Sequence, residues 1–181
     1  MSTWTVRLAT ADDLDDVVRV LNEAGARLAE RGLDQWGHNW MSHYRMAVMI
    51  DRHETFLVHD TTGHLDATVT LSEDPGPFWT PEERSERAIY LGKLARTDDA
   101  APGVGEWVLK EWAPRWAAAQ GYDVIRLDAW FTNRELHDYY RSRGWTYVRH
   151  EQVPGNRSGA LFELRIRKQR DRRSAASADV R

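Results

Sequence analysis

Apolar and polar residues follow two periods along this chain, and the two periods predict different elements. Alternation with a period of two is typical of half-buried strands, whereas apolar residues three and four positions apart are typical of one helix face. By this criterion the chain contains seven strands, at residues 4–8, 55–59, 65–71, 89–95, 124–130, 145–149 and 161–166. Helices are predicted after residue 10, from about 41 to 52, from about 105 to 120 and from 133 to 143.

Capping residues and helix breakers support these boundaries. Thr10 with Asp13, and Thr132 with Glu135, have the spacing of a capping box, so helices are expected to begin there. The first helix should break near Gly25 or Gly32, and Pro114 should kink the third helix. The resulting order, β α α β β β α β α β β, predicts an α/β protein in which helices cover a central sheet.

Composition excludes several classes of protein. The 181 residues fit one domain, expected at 1–167, followed by a polar tail at 168–181 that is predicted to be disordered. There is no cysteine, and 25 basic against 28 acidic residues give a net charge of -3, so neither disulfides nor a nucleic-acid partner is expected. No apolar run suits a signal peptide or a membrane span, so a cytoplasmic protein is expected.

One strand, its following loop and a helix form a candidate anion site. The strand at 89–95 leads through a loop containing Gly103 and Gly105 directly into a helix. Free backbone N–H groups and the helix dipole can hold a phosphate there, and glycine permits close approach. A simple flexible connection is the alternative, because two nearby glycines are weak support by themselves.

The segment TNRELHDYYRSRGW contains a second candidate site. Tyr140 follows Asn133 by seven residues, which places both on one helix face, whereas Tyr139 points about 100° away and is expected to pack. Tyr140 is therefore the tyrosine aligned with the mouth of the sheet. A core tyrosine with its hydroxyl at the surface explains the same spacing.

These two segments together resemble the GNAT superfamily of acyl-CoA-dependent N-acyltransferases, in element order from Val6 to about Ile166. The resemblance implies a GNAT fold, with a mixed sheet of about seven strands and about four helices. It also implies acetyl-CoA or another acyl-CoA as donor, no metal, and a monomer or homodimer. Tyr140 would face the thioester sulfur as general acid, and Asn133 would contact the pantetheine arm. The remaining donor-binding residues implied are Leu94, Ala95, Arg96, Gly103, Val104, Gly105, Glu106 and Trp107.

The phosphate loop departs from the family pattern. Ala100 stands where the family has Gln or Arg, and Asp98 and Asp99 stand close by. Carboxylates disfavour a diphosphate unless they point away from it. The departure leaves open an acyl carrier protein as donor partner. A GNAT-like module that binds acyl-CoA without turnover is the alternative from a different class.

The acceptor is expected to be a small-molecule amine. The aromatic loop at 33–40 and two strand ends would form its site, with Gln35, Trp36, Trp79, Asp128 and Trp130 as the predicted contacts. An aromatic wall with one or two acids suits a small cation. Packing of Trp36 and Trp40 on the sheet is the alternative. The general base stays open between Asp128, His38, His137, Glu106 and a water chain.

Overall fold

The structure, a computed structural model, describes residues 4–37 and 39–166. The predicted tail at 168–181 and His38 lie outside the described residues. The strands are β1 (Trp4–Leu8), β2 (Thr55–Asp60), β3 (Leu65–Ser72), β4 (Ala88–Arg96), β5 (Val124–Trp130), β6 (Thr146–His150) and β7 (Ser158–Arg165). The helices are α1 (Leu14–Glu30), α2 (His43–Asp51), α3 (Pro81–Arg84), α4 (Val104–Trp107), α5 (Ala113–Ala119) and α6 (Arg134–Ser142).

The seven strands form one mixed sheet in the order β1-β2-β3-β4-β5-β7-β6. Every neighbouring pair is antiparallel except β4 and β5, which are parallel and lie at the centre. The predicted α/β class and the count of about seven strands are confirmed.

The parallel pair at the centre of the sheet separates after a few residues. β4 and β5 pair only over Ala88–Val124, Ile89–Ile125 and Tyr90–Arg126. Beyond this point β4 stays paired with β3 as far as Arg96, and β5 stays paired with β7 as far as its own end. The sheet therefore opens between residues 91–96 and 127–130, where the two strands no longer share hydrogen bonds.

A β-bulge in β4 lies at this opening. Thr68 pairs with Ala95 and Thr70 pairs with Gly92, so two residues of β4, Lys93 and Leu94, oppose one residue of β3. Lys93 has a φ of 51°, in the left-handed region that non-glycine residues rarely adopt. Bulges bend a strand and re-aim its side chains. The bulge accounts for β4 turning away from β5 directly after their short paired stretch.

Apolar side chains cover the two faces of the sheet with separate clusters. One face, including Leu91, Leu127 and Phe162, packs against α4, α5 and α6. The other face, including Leu57 and Ala95, packs against α1 and α2. Because successive residues of a strand point to opposite faces, β2 contributes Phe56 and Val58 to the first cluster and Leu57 to the second.

The helix that follows β4 runs without interruption from residue 104 to residue 119. Its middle, Val108–Trp112, is π-helical and joins α4 to α5 directly before Pro114. Proline has no N–H to donate to the preceding turn, so a wider turn before it avoids a lost hydrogen bond. The predicted disturbance of the helix by Pro114 is therefore present as a π-helical segment.

One helix is additional to the elements predicted from the sequence, and the end of α1 agrees with the prediction. The segment 73–87, to which the sequence pattern assigned neither helix nor strand, contains α3, whose N-cap Thr80 is bridged to Glu83 in a capping box. Helix α1 passes through Gly25 and ends at Glu30, beside Gly32, which is one of the two predicted break points. A single helical turn buries too few apolar residues to produce a periodic signal, which explains the missed α3.

None of the helices within residues 4–37 and 39–166 combines the length and the apolar composition that a membrane crossing requires.

Close packing of α1 on the loop that follows it makes Gly25 a sensitive position. A Cβ at Gly25 would lie 2.8 Å from the Trp36 carbonyl oxygen and 3.2 Å from the Trp40 ring. Gly25→Ala should therefore lower the free energy of unfolding by about 1–3 kcal/mol, although alanine favours helix. Urea unfolding measures this.

Gly37→Ala is the matched control, because a Cβ there meets no heavy atom within 4 Å. It should change stability by less than about 0.5 kcal/mol. Equal stability of the two variants would contradict the packing described.

Candidate functional site

Tyr140 belongs to the apolar cluster that covers one face of the sheet where β4 and β5 separate, together with Leu91 and Leu127. Tyr140 lies in α6, is 9% exposed, and packs its ring 5.3 Å from Phe162 and 5.9 Å from Trp145. Within the described part of the chain, its hydroxyl has no hydrogen-bond partner. Burial is the main cause that raises the pKa of Tyr140, with smaller contributions from Tyr139 and from the negative charge of Asp128. The phenol is therefore fully protonated at neutral pH.

A pocket of about 420 Å³ lies at the start of the helix that follows β4. Gly103 is the N-cap of α4 and has a φ of 92°, which only glycine adopts without strain. Gly105 lies against Tyr139, since a Cβ there would be 3.3 Å from the Tyr139 hydroxyl. The complete lining is Arg96, Ala100, Ala101, Pro102, Gly103, Val104, Gly105, Glu106, Tyr139 and Arg143.

Two arginines make this pocket cationic. Arg96 donates hydrogen bonds to the carbonyls of Thr97 and Asp98. Arg143 stacks over Tyr139 at 3.6 Å and donates to Glu106 at 3.2 Å. Helix N-terminal N–H groups with arginine beside them are suited to a diphosphate. The structure thus brings together the predicted residues 96 and 103–106 and adds Arg143 and Tyr139, which the sequence analysis did not select.

The two aspartates that appeared unfavourable for a phosphate loop do not line the pocket. Asp98 points toward Arg27, with 3.9 Å between the charged groups, and Asp99 lies 3.2 Å from His64. Both side chains are largely exposed. Their charges are therefore directed to partners outside the pocket, which removes the electrostatic objection to an anion in it.

Asn133 caps helix α6 and is buried. Its side-chain oxygen accepts from the backbone N–H of Leu136 at 3.1 Å, and its amide donates to Gln35 at 3.0 Å. The predicted N-cap, Thr132, was wrong, because the Thr132 hydroxyl donates to Asp34 instead. Asn133 and Gln35 thus fasten the loop after α1 to the start of α6.

Asp34, which the sequence offered as an acceptor-site residue of that loop, is its second anchor. Its carboxylate accepts from the indole of Trp130 at 2.8 Å, from the Thr132 hydroxyl and from Arg157 at 2.6 Å. The hydrogen bond from Trp130 is the largest cause of the lowered pKa of Asp34. The indole N–H of Trp130 is therefore already hydrogen-bonded to Asp34 within the protein.

Most of the predicted aromatic wall is packed inside the protein. Trp36 and Trp40 stack on each other at 4.7 Å and pack against α1, which is the packing alternative. Trp79 is only 2% exposed and lies beneath the guanidinium of Arg126, 4.7 Å from its ring. Trp79 was therefore wrongly placed on an open cleft: it holds the segment 73–87 on the sheet.

Three of the proposed general bases differ in how accessible their proton-accepting atoms are. Glu106 lies in the anion pocket, where Lys110 and Arg143 lower its pKa. His137 is half-buried, with Nε2 2.9 Å from the Trp130 carbonyl. Asp128 is exposed on the α1–α2 face of the sheet and accepts a hydrogen bond from Ser158. Of these three, Asp128 has an accessible carboxylate beside the opening.

One group of metal-ligand side chains occurs within the described residues, at Asp60, His64 and Asp66. Asp60 accepts three hydrogen bonds in the turn between β2 and β3, and Asp66 accepts from the Trp4 indole at 2.6 Å. These bonds account for the group as part of the hairpin and its contact with β1.

Solved structures with a similar fold agree with this geometry, whereas comparison by sequence found no relative. No protein-family model matches the sequence, and no curated protein matches it. The solved structure of a GNAT-family acetyltransferase from Listeria monocytogenes is 17% identical to this chain in sequence and superposes with a TM-score of 0.71. The alignment covers 90% of this chain and 94% of that one. An N-acetyltransferase from Staphylococcus aureus Mu50 is 14% identical with a TM-score of 0.68, covering 92% and 100%.

An acetyltransferase from Salmonella typhimurium, solved with its cofactor acetyl-CoA, is 12% identical with a TM-score of 0.65, covering 93% of this chain and 96% of its own. At these identities the likeness is one of fold. The chain has the fold of the GNAT acetyltransferases, so the resemblance seen in its sequence is confirmed at that level.

Removing the Asn133 side chain should loosen α6 and the loop after α1 together. Asn133→Ala loses the cap and the bond to Gln35, and should destabilise the protein by about 1–2 kcal/mol. Asn133→Ser retains a capping oxygen and should cost about half as much. Thermal unfolding measures both variants, and an equal loss would show that the cap contributes nothing.

Proposed function

We propose that this protein is an N-acyltransferase that moves an acyl group, most simply acetyl, from a coenzyme A thioester to the amine of a small molecule. The observation that carries the proposal is the separation of β4 from β5 directly after Tyr90 and Arg126, with the Tyr140 phenol beside the opening. A pantetheine arm in that opening would find backbone groups of both strands that the sheet does not use.

The anion pocket supports coenzyme A as the donor. Arg96, Arg143 and the start of α4 surround a volume suited to a diphosphate, and the opening between β4 and β5 begins nearby. The Salmonella neighbour of the same fold has acetyl-CoA as its cofactor. Of the residues implied by the resemblance, Arg96 and Gly103 to Glu106 line the pocket. Leu94, Ala95 and Trp107 do not line it and are kept as donor contacts only on the basis of the resemblance.

Asn133 has a different part in the proposal from the one that the resemblance implied. Both polar atoms of its side chain have partners inside the protein. We assign it the task of positioning α6, and hence Tyr140, relative to the opening. Gln35 has the same task from the other side.

The reaction follows from the chemistry of a thioester. The neutral amine attacks the carbonyl carbon, a C–N bond forms, and the tetrahedral oxyanion is stabilised by a backbone N–H of the bulge near Leu94. Collapse breaks the C–S bond, and the departing thiolate takes the phenol proton of Tyr140. The proton lost by the amine passes to solvent or to a base and restores the phenol. Asp128 is retained as an acceptor contact beside the opening.

The two alternatives from the sequence are less well supported. A carrier-protein donor was raised because Ala100 replaces the Gln or Arg of the family and because Asp98 and Asp99 stand beside it. The carboxylates of the two aspartates point to Arg27 and His64 instead of into the pocket, so only the change at Ala100 remains. A binding module without turnover has no need of a protonated phenol at the opening. Neither alternative is favoured by a separate observation.

Calorimetry with acetyl-CoA, followed by thiol release in the presence of an amine panel, tests the proposed function. Binding with thiol release that depends on the amine is expected. Binding without release from any amine would indicate the binding module, and absence of binding would contradict a coenzyme A donor.

Tyr140→Phe should lower turnover by about 10²-fold, because the thiolate then leaves without a proton donor. The dissociation constant for acetyl-CoA should stay the same. Tyr147→Phe is the matched control, since Tyr147 also packs its ring on Phe162 but lies on the edge strand β6, 38% exposed. Unchanged turnover in a folded Tyr140→Phe protein would exclude Tyr140 as the acid.

Arg143→Ala should weaken acetyl-CoA binding by about 10-fold or more, the loss expected for a charged hydrogen bond. Binding of acetyl-pantetheine, which has no diphosphate, should not change. Arg141→Ala is the control, because Arg141 is exposed on the same helix and pairs with Asp138. Equal weakening of both ligands by Arg143→Ala would place the diphosphate elsewhere.

A further inference from the structure

Lys93 is a cation without a partner beside the opening of the sheet. It is half-buried, it occupies the left-handed position of the bulge in β4, and it was not selected from the sequence. Among the described residues, its ammonium makes no hydrogen bond and has no carboxylate within 4.0 Å. A half-buried cation without a partner loses part of its hydration without gaining an ion pair, so a bound anion would stabilise it.

The charges around Lys93 come from both halves of the sheet and from α2. Burial is the main cause that lowers its pKa, followed by Arg45 of α2, while Asp128, Glu54 and Asp74 raise it. Each carboxylate accepts a hydrogen bond from another group: Glu54 from Ser72, Asp74 from the Gly76 backbone, and Asp128 from Ser158. None of them pairs with Lys93.

Lys93 and Asp128 stand on opposite edges of the opening. Lys93 lies three positions beyond the last paired residue of β4, Tyr90, and Asp128 lies two beyond that of β5, Arg126. The charges that act on Lys93 lie on the α1–α2 side of the sheet, away from the anion pocket. A cation and an accessible carboxylate therefore flank the place from which an amine would approach the thioester.

We propose that the acceptor is an aminocarboxylate, whose carboxylate is bound by Lys93 and whose amine is bound by Asp128. This inference rests on the proposed function, because it names the substrate class of the same site. The carboxylate of such an acceptor gives Lys93 the anionic partner that the protein does not provide. The ammonium group of the acceptor gives Asp128 a cationic partner. A simple polyamine would place positive charge against Lys93 and Arg45.

The test compares L-amino acids and γ-aminobutyrate with their carboxamides, which keep the amine and lose the negative charge. Thiol release from acetyl-CoA is measured for the wild type, Lys93→Met and Lys93→Arg. The wild type should prefer the acids. For the best acid, Lys93→Met should raise KM by about 10- to 100-fold with little change in kcat, and should leave the amide unaffected. Lys93→Arg should keep most of the affinity, because it keeps the charge.

Two results would overturn the inference. One is a wild-type preference for the carboxamides or for amines without a carboxylate, which requires no variant and so does not depend on a variant folding. The other is an equal loss of kcat on acid and amide in both Lys93→Met and Lys93→Arg, which would mark Lys93 as a proton acceptor. Thiol release with none of the amines, despite acetyl-CoA binding, would contradict the proposed function itself and is distinguishable from both.

Discussion

The separation of two parallel strands in the middle of the sheet is the constraint on which the rest of this structure depends. Backbone N–H and C=O groups in the interior need partners, and a continuous sheet would supply them. Here β4 and β5 share only three residue pairs, while each remains paired on its outer side. The bulge at Lys93 and Leu94 turns β4 away. The protein thereby holds open a polar, strand-lined gap that a linear ligand can fill.

The two faces of the sheet give that gap two different chemical environments. The side of α4 to α6 has a helix start, two arginines and a buried phenol. The side of α1 and α2 has one charge of each sign, on Lys93 and Asp128. In the proposed reaction, donor and acceptor approach from opposite faces and meet where the strands separate, which keeps their charges from competing.

The loop after α1 fastens β5, α6 and β7 together through the side chains of Asp34 and Gln35. Asp34 accepts from three donors, one at the end of β5, one in the loop before α6 and one directly before β7, while Gln35 accepts from Asn133. Residues that looked like substrate contacts in the sequence are thus mainly structural. A polar or aromatic residue in a loop has the same local signature whether it faces a ligand or a neighbouring element, so its role depends on contacts far away in the chain.

What the sequence determined by itself is the set of elements and their class, because the periods of two and 3.6 are local consequences of strand and helix geometry. Tyr140, Asn133 and the two glycines of the pocket were also recognisable, since their spacing along one helix or loop is local. Only the tertiary structure decided that Trp79 is buried, that Asp98 and Asp99 point away from the pocket, and that Arg143 and Lys93 flank the site. Those outcomes depend on which strands neighbour each other and where β4 leaves β5, and this information resides in contacts between distant segments.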